Sequence, residues 1–188
     1  LIRKATQKDA DHILPLIMVI LEDMELDFLK KYGKETVMDV LQEGYLNETF
    51  RYGYKRALVF EDKNEVVGTA FGYHEEDEAI IDQPLSSIFK ELKIPTHEQM
   101  FTDKEAFQHE WYLDSIAVRS DQRGKGVGAK LLRALPTFAK EQGSNILGLN
   151  VDEVNPRAKK LYTKEGFKDV GKVTIGGHLY DHMQKIID

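Results

Sequence analysis

Glu110-Trp111-Tyr112-Leu113-Asp114-Ser115-Ile116-Ala117-Val118 runs directly into Arg119-Ser120-Asp121-Gln122-Arg123-Gly124-Lys125-Gly126-Val127-Gly128-Ala129. The first nine residues read as a β-strand, the next ten as a charged, glycine-rich turn, and Val127 to Gln142 as a helix. A kink or interruption is expected in that helix at Pro136, which lacks the amide proton a helix interior needs.

Downstream, Asn145 to Val151 is a further strand, rich in branched residues. Asn155-Pro156 opens a short helix, with proline in its favoured first-turn place, and Gly166 closes it. Phe167 to Ile175 and His178 to Ile187 form a terminal hairpin across Gly176-Gly177. Upstream, Leu1 to Ala5 is a short strand, and Thr6 caps a helix bearing Ile13, Leu14, Ile17, Met18 and Leu21. A second helix is expected over Lys34 to Glu48, burying Val37, Val40, Leu41 and Tyr45. Ala57 to Phe60 and Val66 to Tyr73 pair as a hairpin across Glu61 to Glu65. Between Asp82 and Phe107 the signals weaken, apart from a short helical piece, Ser86 to Leu92, bracketed by Pro84 and Pro95. That segment reads equally as a substrate-side lid or a plain connection. The sum is an α/β (α+β) fold: one domain over residues 1–188, its mixed sheet partly parallel, partly antiparallel and flanked by helices.

Composition narrows the function. The chain has 188 residues, 41% of them hydrophobic, enough for a substantial core and against disorder. Its longest apolar run, Ile13 to Leu21, contains Pro15 and follows Asp9 and Asp11, so it is read as neither a membrane span nor a secretion signal. The absence of cysteine excludes disulfides, thiolate metal sites and a cysteine nucleophile, and fits a cytoplasmic protein; separately, a monomer or homodimer is expected. A net charge of −6 argues against a nucleic-acid binder. That total conceals a basic segment: Arg119 to Lys140 holds six basic residues and one acidic, against one basic and eight acidic over Glu61 to Asp82. Within the acidic stretch, Glu75 to Glu78 reads first as a solvated loop and second as an attractor of cationic acceptors.

The glycine-rich turn suits a pyrophosphate. Glycines let main-chain amides approach a ligand, the helix start adds a partial positive charge, and Arg123 and Lys125 add full ones. Gly124 to Ala129 also meets the loose dinucleotide pattern, with Asp152 downstream, but only one short helix and a hairpin follow where that fold needs more parallel strands. Gly166 to Lys172 lacks the Ser or Thr of a phosphate loop, because Val173 stands there. His178 and His182, four apart in a strand, make no metal-ligand set, so no metal is expected.

Taken together, Tyr112 to Val118, the loop Arg123-Gly124-Lys125-Gly126-Val127-Gly128, Asn155 to Tyr162 and Gly166-Phe167 resemble the GNAT superfamily of N-acyltransferases. The family's loop pattern, Gln or Arg, two residues, Gly, one residue, then Gly or Ala, is met by Arg123, Gly126 and Gly128. The resemblance implies acetyl-CoA as acyl donor and an amine as acceptor. It implies that amides of Gly124, Lys125, Gly126, Val127, Gly128 and Ala129, with Arg123 nearby, hold the pyrophosphate. The main chain of Ile116, Ala117 and Val118 would pair with the pantetheine arm like an added strand, an amide near Ile116 would polarise the thioester, and Asn155 would bind the arm. Tyr162, seven residues after Asn155 and on nearly the same helix face, would protonate the departing thiolate.

The base is less defined. Where some family members carry a strand glutamate, this chain has Tyr112. In an uninterrupted strand Glu110 and Asp114 share the Tyr112 face, with Trp111, Leu113 and Ser115 opposite, so Glu110 or Asp114 is expected to act through water, with His109 a weaker candidate. Without cysteine, direct transfer in a ternary complex is favoured. The reading from a different class is a noncatalytic acyl-CoA-binding sensory module.

Overall fold

A computed structural model describes residues 1–188. A seven-stranded sheet runs through the molecule in the order β1-β2-β3-β4-β5-β7-β6. Its strands are β1 (Ile2–Lys4), β2 (Ala57–Asp62), β3 (Glu65–His74), β4 (Trp111–Val118), β5 (Ile146–Asp152), β6 (Lys168–Ile175) and β7 (His178–Ile186). All neighbours are antiparallel except β4 and β5, which are parallel, so the expected mixed sheet is present.

Helices cover both faces. On one lie α1 (Ala10–Asp23), α2 (Asp27–Tyr45) and α3 (Leu85–Glu91), burying Ile13, Ile17, Val40 and Phe89 against Val59 and Phe71. On the other, α4 (Val127–Glu141) and α5 (Pro156–Lys164) pack Leu131, Leu135, Phe138 and Leu161 against Trp111, Leu113, Leu147 and Leu149.

Three local expectations are corrected. The helical piece expected from Lys34 is present and ends at Tyr45, but an unforeseen piece, residues 27–32, precedes it in α2 across Gly33, whose φ of 87° no helix interior allows. Helix α4 runs through Pro136 as one element. A mid-helix proline costs about 3 kcal/mol, and burial of Leu131, Leu132, Leu135 and Phe138, at roughly 1.5–3 kcal/mol each, outweighs it. The third correction is in β4. Phe71 pairs with Ser115 but Gly72 pairs with Leu113, so Asp114 is an extra, bulged residue. The bulge turns Ser115 away from the Trp111–Leu113 face and sets its hydroxyl 2.9 Å from the Asp114 carboxylate.

Residues 82–107 form a packed wall. Leu85, Ile88, Phe89, Ile94 and Met100 join the core under α1 and α2. The acidic run pins the end of this segment: Glu78 accepts the amides of Glu105 and Ala106, and Glu75 accepts that of His109. Its carboxylates therefore have structural work, and none of them lines the cleft described next.

Candidate active site

Strands β4 and β5 pair only from Trp111–Leu147 to Leu113–Leu149 and then separate. A cavity of about 190 Å³ fills the opening, lined by β4 from Tyr112 to Ile116, by β5 from Leu149 to Asp152, and by Asn155, Ala158 and Tyr162. On the far side of β4, the Arg119 amide donates to the Val67 carbonyl, and Thr69 pairs with Ala117. Antiparallel ladders alternate, so the main-chain groups of Ile116 and Val118 turn away from β3 and toward the opening, while those of Ala117 are held by the sheet. Two expected contacts are thus available as an unpaired strand edge.

The turn between β4 and α4 lies at the outer end of this edge. Gly124 and Gly126 have φ of 78° and 82°, and a Cβ built on either would meet no atom within 4 Å. Gly126 caps α4, so the amides of Val127, Gly128 and Ala129 are in the helix's first turn, where intrahelical acceptors are lacking. Arg123 and Lys125 are exposed beside them, with the Arg123 guanidinium 3.3 Å from the Val118 carbonyl.

Across the opening, Asn155 accepts from the Ala158 amide through Oδ1, capping α5, and donates to no protein atom through Nδ2. Tyr162 packs edge-on against Phe167, and burial pushes its phenol up to about 12, so it is fully protonated at neutral pH. Asp114 lines the cavity and is tied by three donors: Arg51 at 3.0 Å, Tyr52 at 2.7 Å and Ser115 at 2.9 Å. Glu110 is elsewhere. It is wholly buried beyond the Tyr112 end of the cleft, accepting from the Phe107 amide and Gln184 and facing His182 at 2.7 Å, and it does not line the cavity.

A residue that the sequence did not single out occupies the cleft wall. Glu105, from the weak-signal segment, lines the cavity and receives Tyr112 Oη at 2.9 Å and Arg51 at 2.8 Å. Arg51 is buried and also binds Asp82 and Asp114. One guanidinium cannot neutralise both inner carboxylates, so burial and the nearby Asp114 charge raise Glu105 to about 7. No local pattern marks Glu105 in the sequence, and only the fold brings it opposite Tyr112. No group of His, Cys, Asp and Glu side chains has the geometry of a metal site.

A strand opening with an amide-rich turn at its outer end is the architecture of an acyl-transfer enzyme. Residues 19–167 match the model of the acetyltransferase (GNAT) family, and the chain belongs to that family. A solved acetyltransferase structure is 50% identical over the whole of both chains, with a TM-score of 0.91. An N-acetyltransferase from Staphylococcus aureus Mu50 is 31% identical, covering 98% of this chain and 99% of its own, with a TM-score of 0.88. Among curated proteins, the L-methionine sulfoximine/L-methionine sulfone acetyltransferase of Pseudomonas paraeruginosa is 37% identical over 66 residues, 35% of this chain and 38% of that protein. The match thus spans little more than a third of that relative's length.

Proposed function

We propose that the chain transfers an acetyl group from acetyl-CoA to a small-molecule amine, by direct attack within a ternary complex. The observation that carries this reading is the unpaired β4 edge at Ile116 and Val118, leading from the glycine turn to Tyr162 and Glu105. Acetyl-CoA fits these residues. The turn's amides with Arg123 and Lys125 would hold its pyrophosphate, the main chain of Ile116 and Val118 its pantetheine, and Asn155 Nδ2 the arm between.

Within that complex Glu105 takes the proton of the acceptor ammonium, directly or through one water; a carboxylate near pH 7 is matched to the task. The freed amine attacks the thioester carbonyl, whose developing negative charge an amide beside Ile116 stabilises. The carbon–sulfur bond breaks as Tyr162 delivers its proton to the thiolate, and the excess proton on the acylated nitrogen passes, through solvent, back to the Tyr162 phenolate, leaving a neutral amide. Asp114, in contact with the same Arg51, holds the guanidinium in place. The cavity lining contains Glu105, Asp114 and Asp152 and no Lys, Arg or His, which favours cationic amines over acceptors whose own carboxylate adjoins the amine.

Thiol release from acetyl-CoA, followed across diamines, aminoglycosides, amino acids and peptide N-termini, tests the proposal. Release with a cationic amine is the expected result. No release with any acceptor, despite donor binding by calorimetry, would return the chain to a binding role.

A further inference from the structure

Behind the cleft, five side chains form one hydrogen-bonded chain from β7 to the loop before β4. Glu110 and His182 are wholly buried, with His182 Nε2 2.7 Å from Glu110 Oε1 and the Phe107 ring stacked 3.7 Å from the imidazole. His182 Nδ1 contacts Asn150 Oδ1. Asn150 Nδ2 donates to the Glu105 carbonyl at 3.1 Å and to the Tyr112 hydroxyl at 3.0 Å, and that hydroxyl donates to Glu105 Oε1.

The donors and acceptors in this chain leave little choice. The Glu105 carbonyl only accepts, so it fixes Asn150 with Nδ2 toward Glu105 and Oδ1 toward His182. Nδ1 of His182 must then carry a proton. Glu110 accepts from the Phe107 amide through Oε2 and from Gln184 through Oε1, and Oε1 also meets Nε2, so both ring nitrogens are engaged. We infer that His182, its ring fixed between Glu110 and Asn150, is a positioning residue for Glu105, aiming the Tyr112 proton at the base through Asn150. This inference rests on Glu105 being the base.

The oriented hydroxyl favours ionised Glu105. The other charged or titratable groups facing Glu105 are Arg51 and Asp114, with Asp82 behind the guanidinium and Glu78 on the Glu105 amide. Tyr73 packs at a tilt against Tyr112 and bonds Glu78. Lys159 and Lys172 engage Asp181, the neighbour of His182, and not this chain of side chains.

Two measurements on this chain test this. Imidazole nitrogen NMR of the wild type should show a proton on His182 Nδ1, the nitrogen facing Asn150 Oδ1. A tautomer with Nδ1 bare would overturn the arrangement. Carboxyl-carbon NMR should then place the Glu105 titration about one unit higher in His182→Gln and in Tyr112→Phe, with no further rise in the double variant. A shift in Tyr112→Phe alone, or full additivity, would overturn the positioning role. Where His182→Gln fails to fold, Asn150→Ser breaks the same chain one link later and carries the titration. Neither readout uses turnover, so an inactive protein or an active Glu105→Gln would count against the proposed reaction and not against this network.

Discussion

The Tyr112 hydroxyl donates to Glu105 Oε1 at 2.9 Å, joining a strand residue to a loop residue across the cleft wall. The contact holds the Glu105 carboxylate, which belongs to the segment before β4, at the wall of the cavity. Burial keeps the Tyr112 phenol far above its ordinary range, so it acts as a fixed donor, leaving Glu105 as the group that titrates.

Glu105→Gln should lower kcat by about 10²–10⁴-fold, the usual contribution of a general base. Acetyl-CoA affinity should stay within a factor of about two. Because Glu105 must be ionised to accept a proton, wild-type kcat should fall as pH drops below about 7, approaching tenfold per unit. The variant's residual rate should lose that limb. Stopped-assay kcat profiles between about pH 5.5 and 9 check both, and an unchanged acid limb would move the base elsewhere.

Much of this was legible in the sequence. The strand–turn–helix from Trp111 to Glu141, the capped helix at Asn155-Pro156 and the Gly176-Gly177 hairpin all rest on local chemistry: branched residues, proline at a first turn, glycines where φ is positive. The Asp114 bulge was not legible, because register is decided by cross-strand pairing with Phe71 and Gly72, not by the bulged strand's own residues. Glu105 was invisible for a related reason. It sits in a segment without periodicity, and its chemistry comes from Arg51, Tyr112 and Asp114, which lie distant in sequence or on another element. Glu110 looked equivalent to Asp114 by strand alternation, yet lies outside the cleft and faces His182.

Tyr162→Phe keeps the ring against Phe167 and removes only the hydroxyl. If the phenol protonates the leaving thiolate, kcat should fall at least about tenfold while donor affinity changes little. A poor thiol leaving group gains most from an acid, so acyl donors with better leaving groups should recover part of the loss. Equal losses for both donor types would assign Tyr162 to packing.

Gly148 permits the closest approach in the sheet. A Cβ placed there would lie 2.0 Å from Glu110 Oε1, an impossible contact with a buried, fully engaged carboxylate. Gly148→Ala must displace Glu110 from His182 and Gln184, combining overpacking with broken buried hydrogen bonds, at about 2–4 kcal/mol. At roughly 2–4 °C per kcal/mol for a chain of this size, the melting temperature should fall by about 5–15 °C. Calorimetry of Gly148→Ala beside Gly128→Ala, whose Cβ would meet only Leu161 Cδ2 at 3.9 Å, separates the clash from the general effect of losing a glycine.

Arg51 offers the sharpest link between pH and stability. Its guanidinium is almost wholly buried and binds Asp82, Glu105 and Asp114, while its face lies 4.2 Å from the Phe101 ring. Arg51→Met fills similar space but strands two buried carboxylates, an effect of about 3–5 kcal/mol when both are ionised. The sign follows from proton binding. Glu105 is already raised from 4.5 to about 7 in the folded state, so the folded chain holds that proton more tightly than the unfolded chain. The stability from that proton is whole below the unfolded value and is lost as pH rises through the folded one. Without the guanidinium the folded value climbs further, and the loss extends to higher pH. Arg51→Met should therefore be less stable than wild type by a margin that widens from about pH 5 toward about pH 8. Urea denaturation of both proteins at several pH values measures this. A difference in stability that stays constant with pH would mean that Arg51 contributes by packing on Phe101 and not by its charge.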